Sequence, residues 1–269
     1  MRTVIVAGQG ILPVEAAKSL KSRGDEVIVF TFTEQLAHDF TSVSDDVKVF
    51  SVGQVGKIIK GLKDSGAKRL VFAGKFNKTI LEQNLKFDLR ALWILARLKD
   101  RQENTIMYAI TREIEKAGVT VLSQLDALSH LVVRKGIYSK MKPNRTQMKD
   151  VRFAYEKARG IAGLDLGQVV VVKNRTVLAM ESLEGTNRTI QRGAEFCRGG
   201  FTVVKVAKPN QDYRFDLPVI GMETLAAFAA EKGAVLAVEA DYTLAINMQE
   251  CIDFADEKKF IFMAYAPEK

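Results

Sequence analysis

Histidine and cysteine are nearly absent from this chain of 269 residues, which has two of each: His38, His130, Cys197 and Cys251. So few and so scattered, they exclude a His/Cys zinc centre and a disulfide framework. They also disfavour histidine-based acid–base chemistry, while leaving room for one histidine to act. Tryptophan occurs once, as Trp93, in a pattern that reads as core. No apolar run approaches the roughly 20 residues that span a bilayer. The opening MRTVIVAGQG enters a strand directly, without an apolar leader or a cleavage site. The expectation is a soluble, cytoplasmic protein. No Lys/Arg tail and no base-stacking aromatic module stands out, so a nucleic-acid partner is not expected.

What the chain does have is a sizeable apolar fraction, 47%, and an excess of 40 Lys+Arg over 32 Asp+Glu. The net charge of +8 suits polyanionic partners, such as a nucleotide diphosphate or an anionic lipid surface.

Alternating apolar runs and helical periodicities predict an α/β fold in two parts. Thr3 to Ala7, Glu26 to Phe32, Val47 to Val52, Arg69 to Ala73 and Val119 to Leu122 read as strands. The intervening patterns read as helices, notably 53–64, 88–100 and 104–117. This is a Rossmann-like parallel sheet with helices on both faces. The turn Gly8-Gln9-Gly10 can offer backbone N–H groups to a phosphate. It is not a dinucleotide fingerprint, because Pro13 stands where the third glycine would fall and no acidic residue closes the second strand. Gly74, with Lys75 and Lys78, lies in the loop after the fourth strand, where open α/β sheets bind ligands. Around Lys135-Gly136 and Lys140 to Arg145 the pattern fails. The domains are therefore placed at 1–133 and 148–269, with a linker at 134–147. The second domain also reads as mixed α/β. It has a helix over 146–162, a hairpin over 168–180, a short helix over 189–197 and a strand over 201–207, followed by alternating helices and strands.

The stretch from Met180 to Thr224 concentrates groups that handle phosphate and metal. Glu181, Glu184, Asp212 and Asp216 are hard oxygen ligands, and Arg188, Arg192, Arg198, Lys205, Lys208 and Arg214 are cations. Oxygen ligands beside cations and glycines are what a Mg²⁺–diphosphate site needs.

The N-terminal AGQGILPVEAA, the run Glu184-Gly185-Thr186, the run KPNQDYRFDLPVIG (208–221) and the terminal VEADYTL resemble one family along nearly the whole chain. It is the LpxI-type UDP-2,3-diacylglucosamine diphosphatases of lipid A biosynthesis. The resemblance implies two α/β domains with substrate held between them. It implies Mg²⁺-dependent hydrolysis of UDP-2,3-diacylglucosamine to UMP and 2,3-diacylglucosamine 1-phosphate, with water attacking the sugar-side phosphorus. It also implies a homodimer that visits the inner membrane as a peripheral protein. Asp216, in the D-L-P run, becomes the catalytic residue, as metal ligand or as the group that orients water. A bare turn cap before Leu217-Pro218 is the alternative for the same residue. Lys208, Gln211 and Arg214 bind phosphate or hold Asp216. Glu184 is a second ligand or a sugar acceptor, and Gly185 with Thr186 supplies backbone N–H and hydroxyl. Glu239 faces substrate or forms a salt bridge at the rim of the core. The chain departs from the family pattern at Asn187, where members carry aspartate, at Gln9, and in the basic loop 74–78. A non-catalytic nucleotide-sugar sensor and a hydrolase of another nucleotide diphosphate sugar stay open as alternatives.

Overall fold

A computed structural model describes residues 1–75, 87–100, 103–209 and 211–267. The chain forms two compact units, one of Met1–His130 with Tyr213–Phe215 and one of Leu131–Asp212 with Asp216–Lys269.

In the first unit, β1 (Arg2–Ala7), β2 (Glu26–Thr31), β3 (Asp46–Val49), β4 (Arg69–Ala73) and β5 (Thr120–Val121) form one sheet. All its pairings are parallel and the order is β3-β2-β1-β4-β5. Parallel strands covered on both faces need continuous apolar runs rather than alternation, and TVIVA and RLVFA supply them. Right-handed crossovers place α1 (Leu12–Ser22) and α2 (Glu34–His38) on one face. The same rule puts α3 (Val55–Ser65) and α5 (Glu103–Lys116) on the other. On that second face Val4, Val6, Ile28, Phe30, Leu70 and Phe72 bury against Leu62 of α3 and Ile114 of α5. A further helix, α4 (Leu89–Ala96), starts at Asp88, whose carboxylate accepts the Ala91 N–H, and stops short of the expected position 100. Two short helices, α2 and α6 (Gln124–Ala127), were not expected, because five and four residues carry too little periodicity to read.

The second unit has a six-stranded mixed sheet. Its strands are β6 (Gly136–Ile137), β7 (Val169–Lys173), β8 (Thr176–Met180), β9 (Thr202–Lys205), β11 (Val235–Glu239) and β13 (Ile261–Tyr265), in the order β6-β13-β11-β9-β7-β8. β9, β11 and β13 are parallel; β6 and the β7–β8 hairpin run antiparallel to their neighbours. A separate two-residue pair joins β10 (Val219–Ile220) to β12 (Leu244–Ala245). Strand alternation sorts the apolar residues into two cores. Val170, Val172, Val204, Ala237 and Ile261 meet Val151, Ala154, Ala158 and Ile161 of α7 (Arg145–Gly163). Val169, Val171, Val203, Leu236, Val238 and Phe262 meet the helices of the opposite face. These are α8 (Thr186–Ala194), α9 (Met222–Ala230) and α10 (Met248–Glu257).

Two expectations need correction here. The stretch 134–147 is not a bare linker: β6 inside it pairs with β13, and Asn144 and Gln147 form the capping box of α7. A two-residue strand carries no readable period. The short helix begins at Thr186 rather than Thr189, because Gly185, at φ 80°, takes the N-cap position. That conformation favours glycine and starts the helix before its first apolar residue, Ile190.

Candidate functional site

In the first unit the sheet order reverses between β1 and β4, the switch point where such sheets bind ligands. The two loops there are stitched together. Gly8 N–H donates to Ala73 O at 2.8 Å, and Gln9 and Lys75 exchange N–H···O bonds of 2.9 Å each. A Cβ on Gly8 would lie 2.6 Å from the Lys75 oxygen, and one on Gly74 would lie 2.8 Å from Gln9 O and from Pro13 Cγ. Gly8 and Gly74 thus serve the approach of one loop to the other. Gly10, at φ 97°, turns the chain into α1 with open space around it. Lys78 lies outside the described residues.

In the second unit the motif gathers at the edge where the parallel strands end. Past β9, Lys208 N–H donates to Gln211 Oε1 at 2.9 Å, and Gln211 N–H returns to Lys208 O at 3.1 Å. Gln211 Nε2 bonds the Asp216 carbonyl oxygen and reaches Asp216 Oδ2 at 3.3 Å. Lys208 Nζ lies 3.8 Å from Asp216 Oδ2 and 2.6 Å from Asp165 Oδ1. Lys208, Gln211 and Asp216 therefore form one constellation, joined by Asp165 from the α7–β7 loop, which sequence reading missed. Asp216 sits in the left-handed region, at φ 68°, with its side chain 58% exposed. Asp165 is also left-handed, at φ 57°.

At the same edge, Gly185 opens α8 without a side-chain cap. The free N–H groups of the first turn and the helix dipole favour an anion there. Thr186 Oγ1 donates to Glu181 Oε1 at 2.9 Å, and Lys205 Nζ reaches Thr186 Oγ1 at 3.3 Å and Val219 O at 3.0 Å. Asn187 Nδ2 donates to Glu223 Oε1 at 2.8 Å, another partner that the sequence did not announce. Glu184 accepts from Arg192 Nη2 at 2.6 Å, and that bond holds its carboxyl below the usual range. Ser182, Glu184, Arg188, Gln191 and Arg192 line an open groove beside it.

Two expected residues fall elsewhere. Arg214 pairs with Glu115 of α5 at 2.8 Å, in the first unit. Glu239 is 4% exposed and turned inward: Oε1 accepts from the Tyr155 hydroxyl at 2.7 Å and Oε2 from Ala207 N–H at 2.8 Å. Arg159 stands 3.4 Å away. Burial, and next the bond to Glu239, raises the Tyr155 phenol well above its ordinary range. Three donors from α7 and the β9 exit thus converge on Glu239, among them the Arg159 ion pair that its core-rim reading expects.

Among the described residues no cluster of three His, Cys, Asp or Glu forms a metal cage. Mg²⁺ needs none, since it usually takes one or two carboxylates and completes its shell with water and substrate phosphate. The exposed Asp216 carboxylate fits that mode.

A two-domain α/β chain whose second unit gathers lysines, arginines and carboxylates at one edge of its sheet is matched along its length by two family models. That of the LpxI N-terminal domain covers residues 2–131 and that of the LpxI C-terminal domain residues 134–263. The chain belongs to the LpxI family. One relative, the UDP-2,3-diacylglucosamine pyrophosphatase LpxI of Caulobacter vibrioides, is 29% identical over 279 aligned residues, covering 98% of each chain. Solved structures with some likeness include a biotin carboxylase domain of the Hydrogenobacter thermophilus 2-oxoglutarate carboxylase, at 14% identity and TM-score 0.29. That match covers 72% of this chain and 40% of the other. Another is glycinamide-RNase-transformylase T of Mycobacterium tuberculosis, at 12% identity and TM-score 0.27, over 67% of this chain and 44% of that one. The chain spans less than half the length of these two structures, and likenesses this loose carry no argument.

Proposed function

We propose that the protein hydrolyses the diphosphate of UDP-2,3-diacylglucosamine, or a close UDP-sugar lipid, to UMP and the sugar 1-phosphate. The observation that carries this reading is the Lys208–Gln211–Asp216 constellation, in a chain of the LpxI family. Lys208 and the first turn of α8 hold diphosphate oxygens. Gln211 fixes Asp216 through both its backbone and its carboxylate. Asp216 takes the metal or orients the attacking water. Glu184, Gly185, Thr186 and Asn187 line the nucleotide-sugar, and Gly8, Gly10 and Gly74 shape a second phosphate-facing turn. Mg²⁺, held by Asp216 and substrate oxygens, would neutralise phosphate charge and stabilise the leaving group. Water adds its oxygen to the sugar-side phosphorus, the bond from that phosphorus to the bridging oxygen breaks, UMP leaves, and a proton passes to solvent. A homodimer and passing contact with the inner membrane are part of the same proposal. The net charge of +8 favours the encounter with an anionic leaflet, and among the described residues no helix is long and apolar enough to cross a membrane.

The test is incubation with UDP-2,3-diacylglucosamine in ¹⁸O-water, with and without Mg²⁺. UMP should form only with the metal, and the label should enter the sugar phosphate. Absence of UMP release sinks the substrate assignment; label in UMP moves the attack to the other phosphorus.

A further inference from the structure

We infer that Glu239, with Tyr155 and Arg159, is a buried clamp that positions the Lys208–Asp216 loop. The clamp itself stands on geometry, and its effect on turnover rests on the reaction proposed above.

The β9 ladder ends at Lys205 and β11 ends at Glu239; Val206 N–H still donates to Gln168 O at 2.9 Å, and Ala207 is the next residue along the chain. The Glu239 side chain takes up its N–H: Oε2 accepts Ala207 N–H at 2.8 Å. Arg159 Nη1 takes the other backbone group of the same residue, donating to Ala207 O at 3.0 Å. Tyr155 fixes the second carboxylate oxygen at 2.7 Å. One residue later, both backbone groups of Lys208 are engaged by Gln211, which then holds Asp216. The path from the core to Asp216 thus runs through the hydrogen bonds that Tyr155, Arg159 and Glu239 make around Ala207, the peptide bond from Ala207 to Lys208, and the bonds of Gln211. A carboxylate at 4% exposure is costly to bury unless its oxygens are satisfied. Filling the space alone would favour an apolar side chain. Only an acceptor with two oxygens can take the Ala207 N–H, the tyrosine and the arginine together, and holding the loop is what that arrangement accomplishes.

The experiment compares full-length Glu239→Gln, Tyr155→Phe and Asp150→Asn with wild type. Asp150 caps the Asn174–Arg175 turn at the far end of β7, so it reports a structural perturbation away from the loop. Amide exchange read by NMR should quicken about tenfold or more at Ala207, Lys208 and Gln211 in Glu239→Gln. UMP release should fall about 10–100-fold in kcat, the size seen when supporting shells are removed, with KM within about twofold. In a Lys208→Ala background the added loss should shrink to about threefold or less, because the two changes act through one loop. Asp150→Asn should lower the melting temperature and leave both readouts unchanged. Unchanged exchange in Glu239→Gln overturns the clamp. So does faster exchange with kcat intact, or losses that multiply fully with Lys208→Ala. Should Glu239→Gln not fold, Tyr155→Phe, which removes one donor with little change in volume, is judged by the same criteria. A wild-type protein that releases no UMP defeats the reaction alone, and the exchange rates still decide whether Glu239 holds the loop.

Discussion

Replacing Asp216 separates two properties that share one residue. Its backbone is left-handed, at φ 68°. A side chain that cannot bond locally costs roughly 1 kcal/mol there, while Asn and Gly are tolerated. Its carboxylate is 58% exposed and its cation stands 3.8 Å away. An ion pair that open contributes about 0–1 kcal/mol. Asp216→Asn and Asp216→Gly should therefore melt close to wild type, and Asp216→Ala should lose about 1 kcal/mol. All three remove the charge. If Asp216 holds the metal or orients water, kcat should fall at least about 100-fold in each, close to 2.7 kcal/mol of barrier. Gly and Asn would then rank with wild type in a melting curve and with Ala in UMP release. The assay is the two measurements on the same preparations. Activity that follows the melting temperatures, with the Asn variant within about threefold of wild type, would refute a chemical role and leave Asp216 as a turn residue.

Three further outcomes are expected. Gly74→Ala should cost at least about 1 kcal/mol more than Gly10→Ala in denaturant titrations, because its Cβ would meet backbone at 2.8 Å while Gly10 faces open space; equal losses would mean the β1 and β4 loops are not tightly joined. Glu113 is 8% exposed and bonded by Lys116 and Arg90, which hold its carboxyl below its ordinary 4.5. Its folded value is depressed, so its contribution is present above about pH 4.5 and lost as pH falls through that lower value. Glu113→Gln should thus flatten the acid limb of a stability–pH curve for the first unit, and curves that stay parallel would contradict this. Cys251 is fully buried and burial pushes its thiol up to about 11. A thiol reagent should label Cys197 in the native protein and Cys251 only on unfolding; native labelling of both would contradict the packing of α10.

The strands that read most directly in the sequence were those whose burial is complete. Val169 to Lys173 and Val235 to Glu239 are covered on both faces, so their apolar runs are unbroken. The strands β6, β10 and β12 have two residues each and were illegible, since two residues show no period; β5, also two residues long, was read only because it lies in the apolar run Val119 to Leu122. In the site the same division follows sequence distance. Lys208, Gln211 and Asp216 occupy one loop, so their chemistry reads directly from the motif. Asp165 comes from a turn whose left-handed backbone no spacing rule marks, and it was missed. Arg214 shares the motif with Lys208 yet is engaged by Glu115, a helix residue with no mark in the sequence to single it out.

Glu239 and Asp216 show why a carboxylate's partners decide its role more than its place in a motif. A cation approaching Asp216 meets an exposed carboxylate and competes with Lys208 Nζ at 3.8 Å and Gln211 Nε2 at 3.3 Å. The same cation at Glu239 would have to break bonds from Tyr155, Ala207 and Arg159. Each buried donor left unpaired costs about 1–3 kcal/mol. A ligand that gains a few kcal/mol per contact therefore meets a lower cost at Asp216 than at Glu239. On the hydrolysis proposed above, the stiff carboxylate holds the loop and the exposed one exchanges partners, the division of labour a site needs if its reactive group must bind, release and bind again.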